Sequence, residues 1–244
     1  MDTNAWTAET PTGTPPPLTG IWAPAWVADP ATNICYLTGG ANTPGPGTLN
    51  TVYVYDPVAN AWLTPLPNFS TPRDFHAAFL FDRPADGHTM LCVAGGNYAN
   101  SGLTSTQCFE FAAGMWYAEN ADLPTMPASL WAMGYGMVSA DEGDDLWLVN
   151  GVDATGALPN VTWRLNTSTG IWEDIGPLPT LATYRLSAVT LDDTLYAVGG
   201  STGGFSPSGY TRRYLAEICE ECVVPNVYKE ATAVALPGER ITYT

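Results

Sequence analysis

The feature that most constrains this chain is a repeat. Trp6, Trp62, Trp116 and Trp172 are separated by 56, 54 and 56 residues, and each closes a turn: DTNAW, VANAW, AAGMW and STGIW. A second landmark recurs in phase with the tryptophans. Apolar strands ending on a glycine pair occur as ICYLTGG (Ile34 to Gly40), MLCVAGG (Met90 to Gly96) and TLYAVGG (Thr194 to Gly200), with DLWLVNG (Asp145 to Gly151) as a variant. Each leads into a further strand: TVYVYDP, CFEF, VTWRL and YTRRY. A period near 50 means repeated supersecondary units, each unable to bury its apolar face alone. The glycine pair suits a strand that must turn sharply out of a crowded sheet, because positive φ carries no steric cost without a Cβ. The tryptophan fills the wedge between neighbouring units, where burying its ring is worth about 2 to 3 kcal/mol.

Glycine hinge, aromatic or acidic strand end and tryptophan wedge, in four registers from Trp6 to Tyr214, resemble the kelch repeat. The resemblance implies an all-β fold, a kelch-type β-propeller of four repeats with four antiparallel strands each. The fourth repeat has no tryptophan of its own, and the unmatched Trp6 at the start of the chain supplies the expected fourth strand, closing the ring. A ring of four is smaller than the six or seven blades usual in the family. The chain is therefore either a compact closed ring, which the matching half-repeats at its two ends favour, or part of a larger propeller with further blades upstream.

The repeat also sets the strand order. The first unit uses Pro24 to Ala28, Ile34 to Gly40, Thr51 to Asp56 and Trp62 to Pro65. The second uses His76 to Asp82, Met90 to Ala94, Gln107 to Phe111 and Trp116 to Glu119; the third Met133 to Ala140, Leu146 to Val149, Val161 to Leu165 and Trp172 to Ile175. The fourth uses Leu186 to Leu191, Leu195 to Val198 and Tyr210 to Leu215. Residues 1–216 are thus the propeller, and 217–244 a linker and the first strand of a following module. The ending PGERITYT resembles the opening of immunoglobulin-like repeats of bacterial surface proteins, which implies a larger multidomain extracellular protein.

Charge narrows the partners. With 24 acidic against 8 basic side chains and a net charge of −16, nucleic acid and anionic membrane would be repelled over the whole surface. No apolar run approaches the roughly 20 residues of a membrane-spanning helix, and Met1 to Trp6 lacks the basic start and apolar core of a signal peptide. Of the five cysteines, Cys92 and Cys108 fall on adjacent strands and form a candidate bridge. Cys219 and Cys222 form a lone C-x-x-C, a candidate local disulfide without the further soft ligands a zinc site wants. Cys35 lies inside a core strand. No metal or cofactor is expected.

Candidate ligand-binding residues gather just before the inner strands, which begin at the central channel. Arg73, His76 and Arg185 offer charge and hydrogen bonds, and Trp22 and Trp131 occupy comparable places in the other two repeats. Arginines alternating with indoles suit a sugar, by stacking and bidentate hydrogen bonding. His88, in the DRPADGHT hairpin, reads as exposed and inert. The DEGDD run (Asp141 to Asp145) reads as a solvated hairpin, since it lacks the alternating-aspartate spacing of a calcium loop. Galactose oxidase-like enzymes share the architecture, but their copper centre needs two histidines and two tyrosines that this pattern does not supply. Sialic acid mutarotases share it too, yet no second inner-strand acid pairs with His76. The sequence therefore points to an extracellular, non-catalytic recognition module for a carbohydrate or protein partner. A sugar-acting enzyme at the channel and a structural spacer are the alternatives.

Overall fold

The computed structural model describes residues 8, 10–16, 20–42, 47–140, 143–178 and 181–215. The strand around Trp6, the Cys219 and Cys222 pair and the 217–244 segment lie outside them. The described residues form an all-β fold of several antiparallel sheets, and no helix among them is long and apolar enough to cross a membrane.

Four sheets follow the repeat. The first takes Ala25–Asp29, Ile34–Thr38, Val52–Asp56 and Ala61–Trp62; the second Ala77–Asp82, Thr89–Ala94, Thr106–Glu110 and Met115–Trp116. The third takes Gly134–Ala140, Gly143–Val149, Thr162–Asn166 and Ile171–Asp174, and the fourth Ser187–Leu191, Thr194–Val198 and Thr211–Leu215. Each is an antiparallel meander that runs outward from its first strand. The outer strands are shorter than the sequence suggests, two residues in the first two sheets. The DEGDD segment differs from expectation as well: Asp144 and Asp145 belong to a strand, paired with Ser139 and Val138.

Side-chain alternation assigns each sheet two faces, and the faces stack in sequence order. Ala25 and Val27 of the first sheet pack on Ala78 and Val93 of the second. The other face of the second sheet, with Ala77, Phe79 and Phe81, meets Leu146 and Leu148 of the third. Val138 and Trp147 of the third meet Leu195 and Ala197 of the fourth. The glycines of the third inner strand are explained by this last contact: a Cβ on Gly134 would stand 3.0 Å from Ala188 Cβ. The wedge tryptophans tie the links down, since Trp116 Nε1 donates to Pro67 O at 2.6 Å and Trp172 Nε1 to Pro124 O at 3.4 Å.

A belt of backbone hydrogen bonds runs around the inner end of the stack. Ala23, Phe75, Ala132 and Arg185 each precede an inner strand and each adopts positive φ, between 52° and 55°. Phe75 N donates to Ala23 O (2.9 Å), Ala132 N to Phe75 O (2.9 Å) and Arg185 N to Ala132 O (2.7 Å). A left-handed non-glycine residue costs on the order of 1 kcal/mol or more, and here the bond to the next sheet offsets it. Among the described residues no bond joins Arg185 back to Ala23.

The strand around Trp6 expected to close the ring lies outside the described residues. Among the described residues the fourth sheet has three strands. Thr12–Gly13, expected to be part of the connection, pairs in parallel with Ala61–Trp62 on the outer edge of the first sheet. Gly13 permits this close approach, because a Cβ in its place would stand 2.0 Å from Trp62 O.

Candidate functional site

The belt places one group from every sheet around a cavity of about 430 Å³ at the inner end of the stack. Trp22 contributes from a small separate sheet in which Ile21–Trp22 pairs with Ala41–Asn42, Pro24 from the entry to the first sheet, Phe75 and His76 from the second, Met133 and Tyr135 from the third, and Arg185 from the fourth. Phe75 lies between two indoles, 5.4 Å from the Trp22 ring and 5.6 Å from the Trp131 ring. The Arg185 guanidinium stands over Phe75, Tyr184 and Phe205 at 5.2, 5.5 and 5.0 Å, exposed and without an ion pair among the described residues. Rings of this kind hold a guanidinium by its cationic face and leave its N–H edge free for a ligand.

Burial pushes the pKa of Tyr135 up to about 12, and His76 beside it is the most deeply buried histidine or charged group in the wall. Its Nε2 lies 2.8 Å from Thr38 Oγ1, whose hydroxyl also lies 3.4 Å from Ala25 O, and its Nδ1 has no partner. Burial, with Arg73 nearby, holds the imidazole well below its ordinary value, so it is neutral at neutral pH. The glycine pairs of two repeats make room for it. A Cβ on Gly39 would stand 2.7 Å from His76 Cε1, and one on Gly96 would stand 2.7 Å from His76 Cβ. The repeat that builds the sheets therefore also builds the histidine's niche.

Arg73 is not at the mouth. It is fully buried, with NH1 donating to Gly95 O (2.9 Å) and Ser105 O (3.0 Å), and NH2 to Ser105 Oγ (3.1 Å) and Glu119 (3.4 Å). The reason is register: the residue of the second sheet that corresponds to Arg185 is Phe75, and Arg73 falls two positions earlier, where it ties the link to its own sheet. Its charge is matched by Glu119 and not by Asp74. Burial lowers its pKa to about 10.

Two further groups belong near the site, Asp74, which the sequence offers only as an ion-pair partner for Arg73, and Phe205. Asp74 is buried beside Trp22 in an adjoining cavity, accepts a hydrogen bond from Asn97 Nδ2 (3.2 Å), and is raised above the usual carboxylate range by burial. Phe205, from a fourth-sheet loop, completes the arginine's cage.

A second cluster lies at the other end of the second sheet. His88 Nδ1 contacts Glu110 Oε1, Asp86 stands 3.6 Å from the same nitrogen, and Tyr117 donates to Glu110 Oε2. Asp86, His88 and Glu110 have the spacing of metal ligands. Arg83 already occupies their carboxylates, however, bonding Asp86 at 2.6 Å and Glu110 and Asp122 at 3.0 Å. With the guanidinium in place the cluster is an ionic lock of the hairpin, and a cation would have to displace it. His88 is thus not inert, and only the pairing of Met90 with Glu110 reveals it.

Cys92 and Cys108 face one another across adjacent strands and are joined in a disulfide, while Cys35 is free.

Stacked antiparallel sheets around an inner cavity define a β-propeller-like protein. No known protein family and no curated protein matches the chain. Among solved structures it is similar to one described as "Structure of YjhT", with a TM-score of 0.57 and 16% identity over 73% of this chain; the chain spans 58% of that protein's length. At this identity the likeness carries the fold alone.

Proposed function

We propose that the chain is a kelch-type propeller domain that binds a saccharide in the cavity at the inner end of the stack. One observation carries the reading: Trp22, His76 and Arg185, from three different sheets, line one cavity of about 430 Å³, within the range of small-ligand sites. An indole with an open face stacks on a pyranose ring, while an unpaired guanidinium binds hydroxyls or a carboxylate in a bidentate fashion. In a protein of net charge −16, Arg185 is a local site of attraction for an acidic sugar. An extracellular setting is part of the proposal, supported by the Cys92–Cys108 disulfide.

A second reading, a sugar-acting enzyme, is favoured by one specific feature. The neutral His76 is part of the cavity's lining, and its buried Nδ1 has no hydrogen-bond partner among the described residues. A neutral imidazole in contact with a bound sugar can move a proton to or from a hydroxyl, as opening a sugar ring requires. The test is a glycan-array screen of the purified protein, followed by titration of any hit against Arg185→Ala. Saccharide binding lost in the variant supports the site; failure of the intact protein to bind any glycan refutes it. Exchange spectroscopy on the bound sugar's anomers, with and without His76→Asn, separates binding from turnover.

A further inference from the structure

We propose that Asp86, His88 and Glu110 bind one divalent transition-metal ion of the zinc type, an ion that takes the place of one Arg83 contact. The three donors come from two elements, the hairpin that joins Ala77–Asp82 to Thr89–Ala94 and the end of Thr106–Glu110. Their ligand atoms all lie within 4.8 Å of one another. Around a tetrahedral zinc with bonds of about 2.0 to 2.1 Å, neighbouring ligand atoms stand roughly 3.3 Å apart. His88 Nδ1 is 3.6 Å from Asp86 Oδ2 and in contact with Glu110 Oε1, so only the two carboxylates have to draw together. One imidazole nitrogen with two carboxylates suits zinc, whereas calcium and magnesium want about six or more oxygens. Three protein ligands leave a fourth position, and the side chains of Asp86 and His88, 36% and 46% exposed, leave it open to water.

Glu110 is the residue whose placement calls for a partner. It pairs with Met115 at the turn before Trp116, as Asp56 pairs with Ala61 and Asn166 with Ile171. Asp56 and Asn166 close their own turns: Asp56 Oδ1 accepts from Val58 N (2.8 Å) and Ala59 N (2.9 Å), and Asn166 Oδ1 from Thr169 N (2.8 Å). Glu110 instead turns to His88, Tyr117 and Arg83, and its side chain is 5% exposed. The hairpin it meets is longer than its counterparts, with six residues (83–88) where the first sheet has four (30–33) and the fourth two (192–193).

Charge favours a divalent ion. Asp86, Glu110 and Asp122 bring three carboxylates and Arg83 one guanidinium, so with histidine counted neutral two negative charges are left over. The guanidinium does not hold every donor atom. It reaches Glu110 through Oε2 and leaves Oε1 to His88, so of the three ligand atoms it covers only Asp86 Oδ2, at 2.6 Å. Arg83 also has another acceptor within reach. Its NH1 donates to Asp122 Oδ1 at 3.0 Å, and Asp122 Oδ2 is buried with no hydrogen-bond partner among the described residues. Release of Asp86 Oδ2 lets Arg83 fork across both oxygens of Asp122, the bidentate geometry a guanidinium favours. Tyr117 stays on Glu110 Oε2 and holds that ligand's orientation.

The test is zinc titration of the full chain, stripped of metal with a chelator, without saccharide. Calorimetry should give one ion per chain, bound about tenfold or more weakly by His88→Gln and by Asp86→Asn. Zinc should raise the Tm of the unaltered chain and not that of the His88→Gln, Asp86→Asn double variant. Both side chains are exposed enough to leave the fold intact, which circular dichroism without metal checks. Arg83→Gln should bind zinc more tightly, having lost the competing cation. An intact chain that takes up no zinc would overturn the proposal. So would binding undiminished in the double variant, which would place the ion elsewhere, such as at Cys219 and Cys222. Neither result bears on saccharide binding at the inner cavity, which is titrated separately without metal.

Discussion

Thr38 Oγ1 lies 2.8 Å from His76 Nε2, a bond between the second strand of one sheet and the start of the inner strand of the next. It fixes the imidazole, whose buried Nδ1 has no hydrogen-bond partner among the described residues, and it is made possible by Gly39, the neighbour of Thr38, which gives the ring space. The histidine's orientation is therefore a consequence of the strand-to-glycine transition that recurs through the chain.

The pH dependence of stability should carry the mark of His76. Its folded-state pKa is depressed by burial, so the folded chain prefers the neutral ring while the unfolded chain takes up a proton near its ordinary value of about 6.5. The contribution is complete above that value and is lost as pH falls below it toward the folded pKa. Thermal unfolding between pH 7.5 and 5, about one Tm per half unit, should show a decline that is shallower in His76→Asn. Equal slopes would show that the imidazole is not held neutral.

Arg185→Ala should weaken saccharide binding by about tenfold or more while moving Tm little, because the side chain is exposed and makes no ion pair among the described residues. Trp22→Ala should weaken binding as well, through loss of the stacking face. Isothermal titration with calorimetric unfolding in parallel checks both effects.

Arg73→Ala should behave in the opposite way. It removes a buried guanidinium from the carbonyls of Gly95 and Ser105 and from Glu119, and should cost about 3 kcal/mol of folding stability in chemical denaturation. Arg73→Lys should recover only part of this, since one ammonium cannot reproduce the fork that holds both carbonyls and Ser105 Oγ.

Gly96→Ala should destabilise the fold by about 2 kcal/mol or more, combining a φ of 95° with a Cβ placed 2.7 Å from His76 Cβ and 2.8 Å from Asp74 O. The same substitution at Gly114, where φ is 66° and no atom lies within 4 Å, should cost less, the backbone strain alone. Comparing the two by urea denaturation separates steric from conformational cost.

Reduction of the Cys92–Cys108 bridge should lower stability by about 3 kcal/mol, the loop-closure effect expected for a sequence separation of 16. Paired unfolding curves with and without reductant measure it.

Most of the strands were legible before any coordinates because they depend on local pattern. VYVYD and ICYLT alternate or run apolar between turn residues, and their pairing partners are close in sequence. The approach of Trp22, His76 and Arg185 was legible for a related reason: a repeat puts like positions at like places. Arg73 was misplaced because two residues of register decide whether a side chain meets the cavity or the core, and the sequence carries no mark of which residue takes positive φ. Glu110 could not be joined to His88 by inspection, since they are 22 residues apart and meet only through the strand pairing.

Periodicity, then, was decided by the sequence alone: the spacing of tryptophans and glycine pairs dictates repeated antiparallel sheets, because local sterics and the burial of large rings depend on near neighbours. The tertiary structure decided what the repeats do to one another. It buried Arg73, set Arg185 among three rings without an ion pair among the described residues, and closed Arg83 over the Asp86–His88–Glu110 cluster. Those outcomes depend on register and on the angle between stacked sheets, quantities set by all the contacts together and carried by no single stretch of chain.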